Sequence, residues 1–350
     1  MASIYDIAKA AGVSAAAVSM ALNNRKGVSD QTRLKIIQIA QELGYEKKKR
    51  GPIEALQKVL NVVLCISAIQ YDYFNNSFYF DIIKHLSKGL VNFSCNLIIR
   101  MSTLDRDAEM IQKIAQHQEV DTYIFMGTRL SPRFIRQLVG ENVPVIFFNK
   151  PHVEGKNVYS VSFDNRRAMY LLTRYAIELG HKEIVYLGYV LCIHPAENRL
   201  LGYREAMEDA GFEVKPNYIV EAEYIPEYGS SYIRKMVSLG IPLPSAILCG
   251  NDRLAVGVIK ALKEFRFKVP GDVSVTGIDN VPLSDMLEVP LTTIDVQTEK
   301  IGSSLARLLQ DIHIGKVTQR HILVDVSLVK RKSLGAYHPD RSALLNTVIY

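Results

Sequence analysis

The sequence predicts an N-terminal all-α helix-turn-helix headpiece followed by an α/β core of two parallel-sheet lobes. Three observations lead to this prediction. Short helical stripes flank a glycine near the start, basic charge is concentrated in the first 50 residues, and apolar strand-like runs alternate with amphipathic helices from residue 60 onward. The length of 350 residues also exceeds the usual size of a single domain.

Three short helices are expected in the headpiece. Ile4, Ile7, Ala8 and Ala11 recur at helical spacing, and Gly12 supplies the positive φ that a sharp turn requires. Serine hydroxyls are good N-caps, so the expected caps of the three helices are Ser3, Ser14 and Ser29. The third helix is expected to bury Leu34, Ile36, Ile37, Ile39, Ala40 and Leu43.

The second helix has one apolar side and one small, polar side. Val18 and Leu22 lie four residues apart and are expected to face inward. The residues expected to face outward are Ala15, Ala16, Ser19, Met20 and Asn23. This outward side is therefore the candidate recognition surface of the helix-turn-helix.

Positive charge is confined to the N-terminal segment. The first 50 residues hold nine lysines and arginines against four acidic residues, and so carry +5 of the net charge of +6. A basic terminal module on a near-neutral partner is typical of a phosphate-binding unit.

Several short motifs connect this segment with a known family. They are Tyr5-Asp6-Ile7-Ala8, Ala11-Gly12-Val13-Ser14, Val18-Ser19, Leu22-Asn23, Val28-Ser29, Thr32-Arg33 and Glu42-Leu43-Gly44-Tyr45. With these motifs, residues 1–45 resemble the DNA-binding headpiece of the lactose-repressor/galactose-repressor family of bacterial transcription regulators. The resemblance implies that double-stranded operator DNA is a partner and that the second helix enters its major groove.

The resemblance also assigns DNA contacts. Implied phosphate contacts are Ser3, Tyr5, Ser14, Ser19, Asn23, Ser29, Thr32 and Tyr45. Implied base-reading positions are Ala15, Ala16 and Met20, where better-known members carry longer polar side chains. Alanine and methionine cannot make bidentate bonds to base edges. Sequence specificity is therefore expected to depend on Asn23, Arg25, DNA shape or a second contact in the minor groove.

Residues 46–59 are expected to form a basic linker or hinge. Four consecutive cations occupy 47–50, and Pro52 is suited to the first position of a short helix. In the resembled family a hinge helix inserts a leucine into the minor groove, and Leu56 is the candidate here. The family's hinge pattern is not cleanly matched, so a plain linker remains the alternative.

Alternating strands and helices are expected from residue 60 to residue 333. Predicted strands are Val62–Ile66, Asn96–Ile99, Thr122–Phe125, Val145–Phe148, Ser160–Phe163, Glu183–Leu187, Ala246–Cys249 and Ser274–Ile278. Predicted helices are 79–93, 106–117, 131–140, 165–180, 197–211, 229–239, 252–266 and 297–314. Eight such units favour two lobes, and a cleft between two parallel sheets is the natural ligand site. Residues 334–350 form a C-terminal tail.

A second set of motifs extends the resemblance over the core, which in the same family binds an effector and has the type I periplasmic-binding-protein-like fold. They are Phe163-Asp164-Asn165, Leu179-Gly180-His181, Arg199-Leu200-Leu201-Gly202-Tyr203, Gly250-Asn251-Asp252, Val269-Pro270-Gly271-Asp272-Val273-Ser274, Gly277-Ile278-Asp279-Asn280 and Pro290-Leu291-Thr292-Thr293-Ile294. The resemblance implies ligand contacts by Arg199, Asn251 and Asp279, with Phe78, Tyr79 and Tyr224 as aromatic walls. The structural alternatives are that Asp252 caps its helix, that Asn280 holds a turn and that the aromatic residues belong to the core.

These observations favour a cytoplasmic, homodimeric transcription regulator, most simply a repressor, with a small-molecule effector. A sugar or glycoside is favoured as effector, a purine or another non-sugar metabolite is the alternative, and a transport-type sugar-binding protein is a weaker one. The sequence has no apolar run long enough to span a membrane and no apolar export signal. Four scattered cysteines lack metal or redox spacing, and no catalytic motif is present, so we expect neither an enzyme nor a metal or other cofactor.

Overall fold

The computed structural model describes residues 4–22, 28–43, 59–67, 77–102, 120–127, 136, 143–189 and 194–338. The chain divides into two compact units, Met1–Lys58 and Val59–Tyr350. Within the described residues, no helix is long and apolar enough to cross a membrane.

The N-terminal unit contains three helices around a small core. They are α1 (Ile4–Ala11), α2 (Ala15–Leu22) and α3 (Asp30–Glu42). Gly12 adopts a φ of 67° between the first two helices, which is the left-handed conformation expected of it. Ile7, Val18 and Ile36 are fully buried, one from each helix, and the alanines beside them allow close approach.

The expected burial of α3 is partly wrong. Ile36 and Ala40 are buried, but Leu34, Ile37 and Leu43 are 68%, 36% and 42% exposed. At 3.6 residues per turn, Leu34 and Ile37 point about 160° and about 100° away from Ile36. Leu43 follows the last helical residue, beyond the region that the other two helices cover.

The second unit begins with a lobe built on a six-stranded, fully parallel sheet. Its strands are β1 (Leu60–Ser67), β2 (Cys95–Ser102), β3 (Thr122–Met126), β4 (Val145–Phe148), β5 (Val158–Phe163) and β11 (His321–Val324), in the order β11-β5-β4-β3-β1-β2. Helices α4 (Ser77–Gly89) and α10 (Thr298–His313) pack together over one face. We call this the first lobe.

The second lobe has a four-stranded parallel sheet and a small antiparallel pair. The sheet, in the order β7-β6-β8-β9, comprises β6 (Ile184–Tyr189), β7 (Ile219–Glu221), β8 (Ala246–Cys249) and β9 (Ser274–Thr276), and the pair comprises β10 (Thr293–Asp295) and β12 (Ser327–Val329). Its helices are α5 (Asn165–Glu178), α6 (His194–Asp209), α7 (Pro226–Ser238), α8 (Asp252–Glu264) and the short α9 (Leu283–Met286).

The chain crosses between the lobes three times, and these crossings are tied together. They occur at Asp164, at Gln297 and at Asp325. The backbone N–H of Asp164 donates to Val324 O (3.1 Å), and Gln297 Nε2 donates to Asp325 O (2.7 Å). The three connecting segments therefore form one hydrogen-bonded hinge.

The predicted architecture is confirmed. All eight predicted strands are present as β1–β6, β8 and β9, and six predicted helices are present as α4–α8 and α10. The predicted helices 106–117 and 131–140 lie outside the described residues, apart from Arg136. Four short strands, β7, β10, β11 and β12, were not predicted because three or four residues carry too little periodicity.

Candidate functional site

Serine hydroxyls cap the second and third helices of the headpiece. Ser14 Oγ accepts from the backbone N–H of Ala17 (3.1 Å), and Ser29 Oγ accepts from that of Thr32 (3.3 Å). The hydroxyls of Ser29 and Thr32 also lie 2.7 Å apart. The predicted capping roles of Ser14 and Ser29 are thus confirmed, while their contacts with phosphate remain predictions.

The candidate base-reading positions differ in their surroundings. Ala15 is half-buried and packs against the headpiece core, so the expectation that it faces outward is wrong, because the first turn of α2 lies against that core. Met20 is partly exposed. Tyr5 lies on α1, and Ala16 and Ser19 lie on α2, but the structure does not describe their side chains. The other predicted DNA contacts lie outside the described residues: Ser3, Asn23, Arg25, Tyr45 and Leu56.

Arg33 has a structural role that the sequence analysis did not assign. Its Nη1 donates to the carbonyl oxygens of Ala21 (3.3 Å) and Met20 (3.5 Å). The last carbonyls of a helix lack partners and carry partial negative charge, so a guanidinium there is favourable. Arg33 therefore ties α3 to the end of the recognition helix.

Arg199 is the centre of the candidate effector site. This buried residue donates from Nε to Asn165 Oδ1 (2.8 Å) and from Nη1 to the carbonyl oxygen of Gly250. Asn165 is the first residue of α5, directly after the crossing at Asp164, and Gly250 follows β8, so both lie in the second lobe. The guanidinium is therefore held by the second lobe, at the carboxyl end of β8 and beside the crossing that follows β5.

Two aromatic rings enclose the Arg199 guanidinium. Its Cζ lies 5.1 Å from the ring centroid of Tyr224 and 5.5 Å from that of Phe163, which is cation–π range. Burial alone disfavours the charged form, but Tyr224, Tyr186 and Asp279 outweigh it, and the pKa of Arg199 is raised above its ordinary value. Arg199 thus stays charged inside the cleft.

Glycines make room for the Tyr224 ring. A Cβ on Gly250 would lie 2.4 Å from Tyr224 Cε1, and one on Gly188 would lie 3.1 Å from the same atom. The phenolic oxygen of Tyr224 is buried without a hydrogen-bond partner in the structure. The ring is thus held flat between backbone and guanidinium, with one unused polar atom.

Asn251 has a clear structural role. Its Oδ1 accepts from the backbone N–H of Leu254 (2.9 Å), which makes it the N-cap of α8, and its Nδ2 donates to Tyr224 O (3.3 Å). The expectation that Asp252 caps this helix is therefore wrong. Asp252 instead accepts from Val281 N (3.0 Å) and from the hydroxyls of Ser284 and Thr293.

Two buried carboxylates lie behind the site. Burial raises the pKa of Asp252 to about 6, against the opposing effect of its hydrogen bonds. Burial, together with the Asp252 carboxylate, raises the pKa of Asp279 well above its usual value, while Arg199 and Arg253 oppose the shift. Asp279 adopts a φ of 120°, and the neighbouring Asn280 (φ 54°) accepts from Arg331 Nη2 (2.8 Å) and so holds the turn, as anticipated.

The aromatic residues at the start of α4 form a chain of rings leading to this site. Phe78 and Tyr79 are 5.1 Å apart, Phe78 and Phe148 are 5.8 Å apart, and Phe148 and Phe163 are 6.4 Å apart. Phe78 is buried in the main core, whereas Tyr79 is half-buried. The structure thus gives Phe78 a packing role and leaves Tyr79 partly accessible.

Sequence reasoning missed Phe163 and Asn165 as parts of the site. Both occur in the quoted Phe163-Asp164-Asn165 motif, but only the tertiary structure shows that they face Arg199. Cys65, Cys95 and Cys249 carry free thiols, as predicted, and among the described residues no cluster of His, Cys, Asp or Glu could hold a metal ion.

Comparisons with known proteins decide the family. A model described as bacterial regulatory proteins, lacI family, matches residues 3–47, and one described as periplasmic binding protein-like domain matches residues 173–334. The chain belongs to the LacI family. It is therefore a DNA-binding transcription regulator with an effector domain, a cytoplasmic bacterial protein and not an enzyme.

Relatives match the LacI-family chain over nearly its whole length. Catabolite control protein A of Priestia megaterium is 29% identical over 310 residues, covering 87% of this chain and 91% of that protein. The HTH-type transcriptional repressor PurR of Serratia proteamaculans (strain 568) is 29% identical over 343 residues, covering 95% and 97%.

Two solved structures share the fold of this chain. The transcriptional regulator CelR–cellobiose complex has a TM-score of 0.73 at 24% identity and covers 95% of this chain and 100% of that one. The lac repressor dimer bound to operator and the anti-inducer ONPF has a TM-score of 0.69 at 24% identity, with 96% and 99% covered. The partners of a LacI-family regulator, operator DNA and a small-molecule effector, follow from this membership.

Proposed function

We propose that this protein is a repressor that binds its operator as a homodimer and responds to a sugar or glycoside held between its two lobes. The observation that carries the effector proposal is Arg199, a buried guanidinium that is hydrogen-bonded within the second lobe and lies between the aromatic rings of Tyr224 in the second lobe and Phe163 in the first. A guanidinium can donate two parallel hydrogen bonds to a pair of hydroxyls, and flat aromatic rings can pack against the apolar faces of a pyranose.

The proposed division of the chain follows the same functions. Residues 1–45 bind DNA, 46–59 link or hinge, 60–333 bind effector and dimerise, and 334–350 form a tail. DNA contacts are proposed for Ser3, Tyr5, Ser14, Ala15, Ala16, Ser19, Met20, Asn23, Arg25, Ser29, Thr32, Tyr45 and Leu56, and effector contacts for Phe78, Tyr79, Arg199, Tyr224, Asn251 and Asp279. For Asn251 the contact must coexist with its capping role.

Exposed apolar side chains support the homodimer. Ile99 and Met101 on β2 are 49% and 44% exposed, and Phe80 on α4 is 59% exposed. β2 is the outermost strand of the six-stranded sheet, so its free edge is also unpaired within the described residues. Covering such an edge and its apolar side chains is a common reason for association. Sedimentation of the full chain should show a dimer, and Ile99→Glu combined with Met101→Glu should weaken it.

Operator binding tests the proposed repressor. With six to ten neutralised phosphates, affinity should fall by about 10³–10⁵-fold between 50 and 200 mM salt. A variant lacking residues 1–58 should lose the operator and keep its effector. Retained operator binding by this variant would contradict the proposal.

A thermal-shift screen tests the effector class. A ligand at 100 times its dissociation constant should stabilise the core by about 2.7 kcal/mol. The screen should contain neutral sugars, glycosides and purine bases. The CelR–cellobiose complex makes a glycoside the first choice. A purine remains the alternative, and stabilisation by purines alone would reject the sugar.

A further inference from the structure

A second cavity is lined by Asn165, the hydrogen-bond partner of Arg199, but not by Arg199 itself. It measures about 330 Å³ and is lined by polar side chains from both lobes, chiefly Lys150, Ser160, His194, Asn198 and His321. This size is at the lower end of the range for small-molecule sites. We propose that this cavity binds a phosphate group, either as free phosphate or as a phosphate ester, and we call it the anion cavity.

Three nitrogen-bearing side chains converge on the anion cavity. Lys150 is fixed at its backbone, because its N–H donates to Ser162 Oγ (2.9 Å). Ser160 Oγ lies 3.0 Å from Nδ1 of His321, and Asn198 Nδ2 lies 2.9 Å from Nδ1 of His194. The ammonium is a charged donor, and each imidazole becomes one when it takes up a proton beside a bound phosphate.

The ammonium of Lys150 lies close enough to both imidazoles of the cavity to affect their protonation. Burial lowers the pKa of His194, and the nearby His152 and Lys150 lower it further, against the effect of Glu197. Burial lowers the pKa of His321 as well, as do Lys150 and Arg320, against Glu154. The ammonium of Lys150 thus acts against protonation of both imidazoles, and a bound phosphate would reverse this effect.

The acidic groups nearby do not block the anion cavity. Asp164 is used as the N-cap of α5, where it accepts from Arg167 N (2.9 Å). Glu154 pairs with Lys150 (3.1 Å), but its side chain is 78% exposed, and such a pair is weak. Glu197 is paired with His152 (3.4 Å) at the surface.

The anion cavity adjoins the candidate effector site, because Phe163 and Asn165 line the cavity and also contact Arg199, which does not line it. Asn165 accepts from Arg199 through Oδ1 and donates through Nδ2 to Asn149 Oδ1 (3.4 Å), and Asn149 lines the cavity. Because the lining comes from β5 and β11 in the first lobe and α6 in the second, a bound phosphate would contact both lobes. Its binding is therefore expected to depend on how the lobes are arranged.

Isothermal titration calorimetry of the full chain tests this proposal. The probes are inorganic phosphate, glucose 6-phosphate and glucose. Inorganic phosphate should bind with proton uptake, visible as a dependence of the heat on the buffer's ionisation enthalpy. Lys150→Gln and His321→Gln should each weaken the affinity for phosphate by at least about tenfold. Glu154→Gln should tighten it, because it removes a competing carboxylate.

Controls separate this site from others. Lys156→Gln removes an equal charge from an exposed residue near the cavity and should leave phosphate binding unchanged. Tighter binding of glucose 6-phosphate than of phosphate would identify an ester as the ligand, and equal binding would identify free phosphate.

The proposal is overturned if inorganic phosphate does not bind, if binding survives both Lys150→Gln and His321→Gln, or if Arg199→Ala abolishes it while Lys150→Gln does not. The operator-binding test of the proposed repressor uses no phosphate, so it can succeed or fail independently of these outcomes.

Discussion

Arg199 Nε donates a hydrogen bond of 2.8 Å to Asn165 Oδ1, and this contact holds α6 to the start of α5, directly after the crossing at Asp164. Asn165 in turn donates to Phe163 O (3.0 Å), so its amide is held in one orientation. A ligand that takes hydrogen bonds from the guanidinium must act on this link. Arg199 is therefore where effector binding and lobe arrangement meet.

Arg199→Ala should abolish the thermal shift produced by the effector while operator binding persists. The variant loses the buried fork and leaves Asn165 Oδ1 without its donor. Arg199→Lys is the matched control, since it keeps the charge but not the paired geometry, and it should bind effector weakly. A full effector response in Arg199→Ala would remove this residue from the site.

Gly250→Ala should displace the Tyr224 ring, because the added Cβ would lie 2.4 Å from Tyr224 Cε1. We expect a loss of about 1–3 kcal/mol in the unfolding free energy of the core and a larger relative loss of effector affinity. Chemical denaturation and ligand titration measure the two effects.

Tyr224→Phe should separate the ring of this residue from its hydroxyl. The phenolic oxygen is buried without a partner in the structure, so its removal should leave the stability of the unliganded core unchanged or slightly higher. If the hydroxyl binds the effector, affinity falls in this variant. A marked loss of stability would show that the oxygen has a partner.

The stability of the core should depend on pH through Asp252. Its pKa is raised from 3.8 to about 6 in the folded state, so the folded protein holds a proton that the unfolded chain releases in this range. The stabilising effect is complete below about pH 4 and is lost as pH rises towards 6, with a change on the order of 3 kcal/mol. Asp279, whose pKa is also raised, adds to the same trend.

Asp252→Asn checks this dependence, because the amide does not titrate. Urea unfolding between pH 4 and pH 7 should show a shallower slope for the variant than for the natural chain. An unchanged slope would assign the pH dependence to Asp279 alone.

The N-cap and the first turn of the recognition helix should respond differently to substitution. Ser14→Ala removes the cap that accepts from Ala17 N and should weaken binding to all operators alike, with a loss of about 1 kcal/mol in headpiece stability. Ala16→Gln adds a side chain that can read a base edge and should change which operator is preferred. A ranking of operators left unchanged by Ala16→Gln would place this position away from the bases.

The sequence predicted the elements of the core well because long, buried strands leave unbroken apolar runs. It failed where the signal was ambiguous. Asn251 and Asp252 are adjacent and equally good cap types, so only the structure distinguishes them. Leu34 and Ile37 are apolar residues on the wrong side of their helix, and composition alone could not place them.

The candidate site was predictable only in part for a similar reason. The family resemblance identified Arg199, Tyr224, Asn251 and Asp279, but not the partners that fix them. Asn165 and Gly250 are 34 and 51 residues away from Arg199 in the chain, and no local pattern reports such pairing. Their roles toward a ligand, like those of the DNA-contacting residues, remain predictions.

The three crossings at Asp164, Gln297 and Asp325 are joined by hydrogen bonds, so a rotation of one lobe against the other would have its axis at these crossings. The crossings lie at the carboxyl ends of β5 and β11, so the amino ends of the strands lie farthest from this axis. β1 has eight residues and is about 26 Å long. A rotation of about 10° therefore moves its amino end, at Leu60, by about 4–5 Å relative to the other lobe. A sub-ångström displacement of the Arg199 guanidinium, which lies beside the axis, thus corresponds to a displacement several times larger at Leu60, where the core begins.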